Sequence, residues 1–353
     1  MIPHAGAGTP TRIPSLDGLR AVSILLVIFH HLMGTAGAPA IIGIVTSAID
    51  AGALGVRVFL VISGFLITGI LARELERTGT LSLRRFYVRR TLRIFPAAYV
   101  FLLALAALST LNVVAVQRGE LLSAATYTLN FWRGRPAWEV GHLWSLAVEE
   151  QFYLLWPATL VLLGVYRGAV LSAGLIAIVP LLRAAQVLGV TWAPLQLVSP
   201  FLFYADWLAV GALLALIGPH LARQRRYRAV RASSWWTVFL VASGVAAWTA
   251  FGHWRVRELT AGWTTITVAL LIDQLIAEPR LAAARLLAVR PVVWIGRISY
   301  SLYLWQELFC NRNSVAWWTR FPGNIGFSFL LAALSYYAIE RPVLAWRDQS
   351  RHA

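Results

Sequence analysis

SLDGLRAVSILLVIFHHLM, residues 15–33, decides the reading of the whole chain. An apolar run begins after Arg20 and carries His30 and His31 in its second half. At ~1.5 Å per residue, the step from Arg20 puts His31 roughly 16 Å along a helix axis, about half of a ~30 Å hydrocarbon core. The same step overshoots three turns by only about 20°, so Arg20 and His31 share a face, whereas His30 points about 80° away from Arg20. Asp17 falls within about 40° of His31 by the same count. An ionisable group at that depth is costly and faces a protein interior or a water-filled cavity. A lone histidine there serves helix packing as readily as chemistry. Its alignment with Arg20 tips the balance towards chemistry.

Outward from this stretch, apolar runs near 20 residues recur to the end of the chain. Of its 353 residues, 59% are hydrophobic and 13% charged. The fold class expected is therefore all-α, a polytopic transmembrane helical bundle in the cell membrane. About ten spans are expected, near 20–36, 53–72, 94–112, 143–164, 169–188, 199–218, 234–252, 260–277, 292–310 and 324–345. The fifth holds Pro180 and Arg183, which either kink it or mark a cavity. A net charge of +16 would direct a soluble domain to nucleic acid. Here topology accounts for it, and the bilayer rather than nucleic acid is the expected partner. All 31 basic residues are arginine. Sixteen lie in the loops after the second, fourth, sixth and eighth spans and seven in the intervening loops, which puts both termini in the cytoplasm. The expected organisation is a cytoplasmic tail at 1–14, one transmembrane domain at 15–345 and a second tail at 346–353. No cleavable signal peptide, internal repeat or fused soluble domain is expected. A single cysteine, Cys310, excludes an intrachain disulfide and a multi-cysteine metal site, and no metal is expected.

Four further stretches carry polar groups at membrane depth. In GVRVFLVISGFLITGILARE, Ser63 and Gly64 lie roughly 15 Å from Arg73 along a helix, near the depth of His31. Such a pair permits close approach of a neighbouring backbone or of a ligand. Arg57, near the outer end of this span, either snorkels or lines an outer cavity. RRFYVRRTLRIFP, residues 84–96, reads as a basic juxtamembrane helix that stops at Pro96. It is either a topology signal with lipid headgroup contact or a site for a phosphate-rich cytoplasmic ligand, with Arg90 and Arg93 one turn apart. In GHLWSLAVEEQFYLLWP, His142, Ser145, Glu149, Phe152, Tyr153 and Trp156 follow a three-four spacing and share a face, and Glu150 points about 100° off it. Two adjacent glutamates in a span call for a polar cavity. Glu340-Arg341-Pro342 reads as a charged structural cap. Asp206 and Asp273 are further intramembrane acids, structural or cavity-lining.

Taken together these pieces resemble membrane acyltransferase family 3, the O-acetylase-type integral membrane acyltransferases. The resemblance rests on Asp17-Gly18-Leu19-Arg20 with His31, Ser63-Gly64-Phe65-Leu66, and Arg90-Thr91-Leu92-Arg93 with Pro96. His142-Leu143-Trp144-Ser145-Leu146 with Glu149, Gln151, Phe152 and Tyr153 follows, then Ser299-Tyr300-Ser301-Leu302-Tyr303-Leu304-Trp305 and Glu340-Arg341-Pro342. It implies a ten-helix domain that takes an acyl group, by default acetyl, from cytoplasmic acyl-CoA. The group goes to a hydroxyl, usually of a sugar: a polysaccharide, a lipid-linked sugar or a glycosylated small molecule. Two departures concern the acceptor side: Arg57 stands where the family commonly has an acidic residue, and Gln306 where it commonly has a histidine.

The expected mechanism follows from both readings. Arg84, Arg85, Arg90 and Arg93 hold the phosphates of acyl-CoA, which is a co-substrate and not a permanently bound cofactor. Arg20 lines the entry and either holds a phosphate or orients the thioester, and Asp17 tunes Arg20. His31 is the general base on the acceptor hydroxyl or, alternatively, forms a covalent acyl-histidine. Ser63 donates to the oxyanion, and Glu149 completes the catalytic group. His142, Ser145, Tyr153 and Arg57 shape the acceptor pocket. A proton-coupled transporter is the competing expectation, because intramembrane His, Glu, Asp and Arg also build proton relays.

Overall fold

The computed structural model describes residues 12–190, 193–249 and 254–349, and every regular element among them is a helix. In chain order these are α1 (Pro14–Leu32), α2 (Ala40–Ile49), α3 (Ala51–Thr78), α4 (Leu83–Thr110), α5 (Arg118–Ala125), α6 (Trp138–Gly141), α7 (Leu143–Val187) and α8 (Ala193–Leu221). There follow α9 (Arg225–Arg231), α10 (Ser234–Thr249), α11 (Trp254–Ala277), α12 (Ala282–Leu287), α13 (Arg290–Arg297), α14 (Ser299–Phe309), α15 (Gly323–Ser335) and α16 (Arg341–Gln349). Helices satisfy their own backbone groups, as hydrocarbon requires. Five stretches are long and apolar enough to cross a membrane: α1, α3, α4, the run Trp138–Gln186 and Pro200–Leu221. The protein is thus a multi-pass membrane protein. Most of the expected N-terminal tail, residues 250–252 of the seventh expected span and residues 350–353 of the C-terminal tail lie outside the described residues.

Local chemistry redraws several expected elements. The basic segment does not stop at Pro96; α4 runs through it, from an N-cap where Ser82 accepts a bond from the Arg85 amide. Proline is tolerated inside a membrane helix when neighbours satisfy the groups it frees. In this turn the Tyr300 hydroxyl donates to the Ile94 carbonyl at 2.8 Å. The fourth and fifth expected spans do part at Gly164, where α7 kinks and the φ of 75° suits glycine. The ninth is broken at Ile298, between α13 and α14, and the tenth is interrupted by a π turn at Tyr336–Glu340. There Glu340 accepts a bond from Ser301. Helix α2, in the loop after the first span, was not foreseen; it exposes Ile41, Ile44 and Val45.

The chain falls into two compact units. In their described parts, the first comprises Met1–Ser23, Ala53–Leu81 and Leu155–Arg297, and the second Ile24–Gly52, Ser82–Leu154 and Ile298–Ala353. The first unit is centred on Leu16, Leu19, Val61, Ile62, Leu214 and Ile272. Its α3 and α8 cross at backbone contact: a side chain at Gly64 would overlap the Leu208 carbonyl, and one at Gly211 the Val61 carbonyl. The Ser-Gly pair thus serves helix packing through its glycine. The second unit is centred on Phe101, Leu105, Val140, Leu143, Leu304 and Trp305. Its extramembrane loop is pinned by Glu120, which accepts from the Gln117 amide and, at 2.8 Å, from the Ala137 amide. That second bond fixes the residue just before Trp138.

Candidate active site

The polar centre of the second unit is built on Glu307 of α14. Four residues after Tyr303, it lies one turn further along the buried face of that helix, and its side chain is 6% exposed. Each carboxylate oxygen holds one histidine. Oε1 lies 3.2 Å from Nε2 of His31, near the end of α1. Oε2 lies 2.9 Å from Nδ1 of His142 and accepts from the His142 amide at 3.3 Å. The other ring nitrogen of His31, Nδ1, lies 2.8 Å from Oε1 of Gln306. Trp138 meets the His31 ring edge-on, with centroids 5.6 Å apart, and the Arg312 guanidinium lies 4.7 Å from the Trp138 centroid.

His142 occupies the corner between α6 and α7 and is held there from three sides. The Tyr303 hydroxyl donates to its carbonyl at 2.6 Å and shares a 2.6 Å bond with Ser145. Asn311 donates to Glu139 at 2.9 Å and ties α6 to the end of α14. The rings of Phe101 and Tyr303 stand edge-on to the imidazole. Among the described residues, His142 Nε2 and Gln306 Nε2 have no hydrogen-bond partner.

The other expected site residues fall into distinct places. Glu149 bonds to Tyr153 and lies 3.8 Å from Arg90, whose guanidinium sits 3.7 Å over the Tyr153 ring. Arg90 is therefore turned into the second unit, while Arg84, Arg85 and Arg93 are exposed. In the first unit, Arg20 is half-buried and Ser63 partly exposed on α3. Asp17 pairs with Arg12 at 2.6 Å rather than with Arg20. Arg57, expected at an outer pocket, is fully buried, its guanidinium 4.1 Å from the Trp207 centroid and 4.7 Å from that of Trp248. The acids left open by the sequence have partners: Asp206 pairs with Arg183, and Asp273 with Arg231 at 3.0 Å and Tyr227 at 2.8 Å. Outside the spans, burial and then Asp273 push the Tyr227 phenol up, which keeps it a donor.

Sequence reasoning missed Glu307 and Trp138. Glu307 stood in view as the acid inside the apolar run SLYLWQELF, where a carboxylate needs a partner. Trp138 gave no comparable signal, because its place depends on the turn of the chain through Ala137.

A helical membrane bundle with a buried histidine–carboxylate centre is the setting in which the comparisons with known proteins fall. Residues 13–339 match the model of acyltransferase family 3, described as an acyltransferase domain, and the chain belongs to that family. YrhL of Bacillus subtilis is 30% identical over 367 residues, covering 94% of this chain and 55% of YrhL. The peptidoglycan O-acetyltransferase OatA of Listeria monocytogenes is 28% identical over 363 residues, covering 94% of this chain and 56% of its own length. The O-acetyltransferase OatA of Staphylococcus aureus is 28% identical over 375 residues, with 95% and 58% covered. The chain thus spans a little over half the length of these relatives. No solved structure gives a significant match. Family membership does not favour the transporter reading.

Proposed function

We propose that this chain is an integral membrane O-acyltransferase that moves an acetyl group from cytoplasmic acyl-CoA to a hydroxyl of a glycan. The names of the Listeria and Staphylococcus relatives make peptidoglycan the acceptor of first choice. In this reading the domain has ten spans with both termini in the cytoplasm, supported by the arginine bias of the loops. Arg84, Arg85 and Arg93, exposed on α4, hold the CoA phosphates, with Arg90 behind them. Arg20 orients the thioester and Ser63 donates to its oxyanion. His31 takes the proton of the acceptor hydroxyl as it attacks. Glu149, His142, Ser145 and Tyr153 shape the acceptor side.

The observation that carries this reading is the ion-pair contact between His31 and Glu307 in a chain of this family. It gives the one motif histidine that sequence depth marked out a carboxylate partner. The test is CoA release from acetyl-CoA by the purified protein in lipid nanodiscs, with candidate hydroxyl acceptors present. Release by wild type, absent in His31→Ala and weakened in Arg93→Ala, is the expected result. No binding or consumption of acyl-CoA by wild type overturns the enzyme reading.

A further inference from the structure

We infer that Glu307 is the carboxylate that stabilises His31 as it takes up a proton, and that His142 anchors Glu307. The inference rests on the acyltransfer reading and deepens it, since that reading gives Glu307 no task in the proton transfer. Each ring nitrogen of His31 faces a different kind of partner. At Nε2 stands the Glu307 carboxylate, 3.2 Å away, placed to offset the charge that the ring gains on taking up a proton. At Nδ1 stands the Gln306 amide, 2.8 Å away, which serves either protonation state. Its oxygen accepts from a protonated Nδ1. After a half-turn its amide nitrogen, which has no other partner among the described residues, donates to an unprotonated one. Gln306 thus fits the ring before and after proton transfer.

Glu307 can do this only if it does not rotate away. Its Oε2 is fixed by the His142 ring and amide, and His142 is itself fixed through its carbonyl by Tyr303. A carboxylate held beside the base stabilises the imidazolium that forms, as in hydrolases. In the reaction, the hydroxyl proton moves to His31 as the oxygen bonds to the thioester carbonyl carbon. On collapse the C–S bond breaks, and the departing thiolate takes that proton. Thioester and alcohol become ester and thiol, with no other reactant consumed. Glu307 and His142 act through His31 and are positioning residues.

The experiment uses the full chain in nanodiscs, acetyl-CoA as donor, and two acceptors: a chitin oligosaccharide and hydroxylamine. Hydroxylamine attacks with a lone pair already in hand and needs no base, so it separates loss of base function from loss of fold. Uncatalysed transfer is subtracted. Glu307→Gln is expected to cut sugar acetylation at least ~100-fold and to leave hydroxylamine acetylation within about threefold. His142→Ala is expected to cut sugar acetylation about tenfold or more. His142→Asn, whose amide can replace the Nδ1 donor, restores it to within about threefold. Equal losses with both acceptors, wild-type sugar transfer in Glu307→Gln, or an Asn variant as poor as Ala each overturn the inference while acyl transfer stands. Wild type inactive with both acceptors overturns the acyltransfer reading and this inference with it. If Glu307→Gln does not fold, Glu307→Asp is read by the same pair of acceptors, because it keeps the charge but withdraws it by one methylene.

Discussion

Glu307 and Asp206 are both carboxylates buried in apolar helices, 4% and 2% exposed, and they are neutralised in opposite ways. Asp206, in the first unit, is matched to Arg183 on the second half of α7. Arginine does not deprotonate in proteins, so that pair carries fixed charges and has one state. Glu307, in the second unit, is matched to two imidazoles. Imidazole, unlike guanidinium, can be uncharged as well as charged, so this cluster is not confined to fixed charges. A buried charge alone is no mark of an active site; the exchangeability of its partner is. Arg57, in the same unit as Asp206, is likewise held by packing, buried against two tryptophans.

The sharpest way to test this contrast is to remove the exchangeable partner. His31→Ala should lower acetyl transfer at least ~1,000-fold, because it removes both base and proton carrier. The protein should stay folded, since the remaining His142 still holds Glu307. CoA release in nanodiscs, with size-exclusion behaviour as the fold control, measures both halves. Wild-type turnover would remove His31 from the chemistry.

The opposite outcome is expected at the fixed pair. Arg183→Leu should destabilise the first unit by about 3 kcal/mol, because it strands a buried carboxylate. Arg183→Leu combined with Asp206→Leu should recover to within about 1 kcal/mol of wild type, since apolar replacement of both partners leaves nothing unpaired. Unfolding in mixed detergent micelles gives these differences, and activity per folded molecule should be unchanged in the double variant. A double variant that folds but cannot transfer acetyl would show that the comparison between the two carboxylates is drawn in the wrong place.

How far the sequence foretold this division depends on the kind of signal. Depth and helical phase along one segment are local, so the sequence could single out His31 as a polar group in an apolar helix. The polar face drawn through His142, Ser145 and Glu149 divides, His142 meeting Glu307 and Glu149 meeting Tyr153. Partner choice is not local. Asp206 and Arg183 lie 23 residues apart, and His31 and Gln306 275; no periodicity joins them. The break at Ile298 was missed because hydropathy continues across it, whereas the expected end of the fourth span falls on Gly164, where the positive φ breaks the helix. The glycine of the Ser-Gly pair proved to serve a backbone crossing, a reading open from the outset. Helix α4 continues through Pro96, and the tyrosine hydroxyl that bonds the Ile94 carbonyl in that turn comes from α14, more than two hundred residues away.

The smallest effect should come from the exposed arginines, where the two kinds of charge meet solvent. Arg90 and Arg93 are one turn apart on α4, yet Arg90 lies over Tyr153 beside Glu149, and Arg93 is exposed. A charge-assisted bond to a phosphate contributes about 1.5–3 kcal/mol, so losing one exposed contact to CoA should raise KM about tenfold. Arg93→Ala should therefore weaken acetyl-CoA use at unchanged kcat, and added salt should narrow its gap to wild type by screening the wild-type contact. Arg90→Ala should behave differently, because it strands Glu149 beside Tyr153 and so lowers stability along with activity. Steady-state kinetics at two salt concentrations, with unfolding measured alongside, separates the two. If both variants raise KM alike and neither loses stability, Arg90 belongs with the solvent-facing charges and the donor site reaches deeper into α4 than its exposed face.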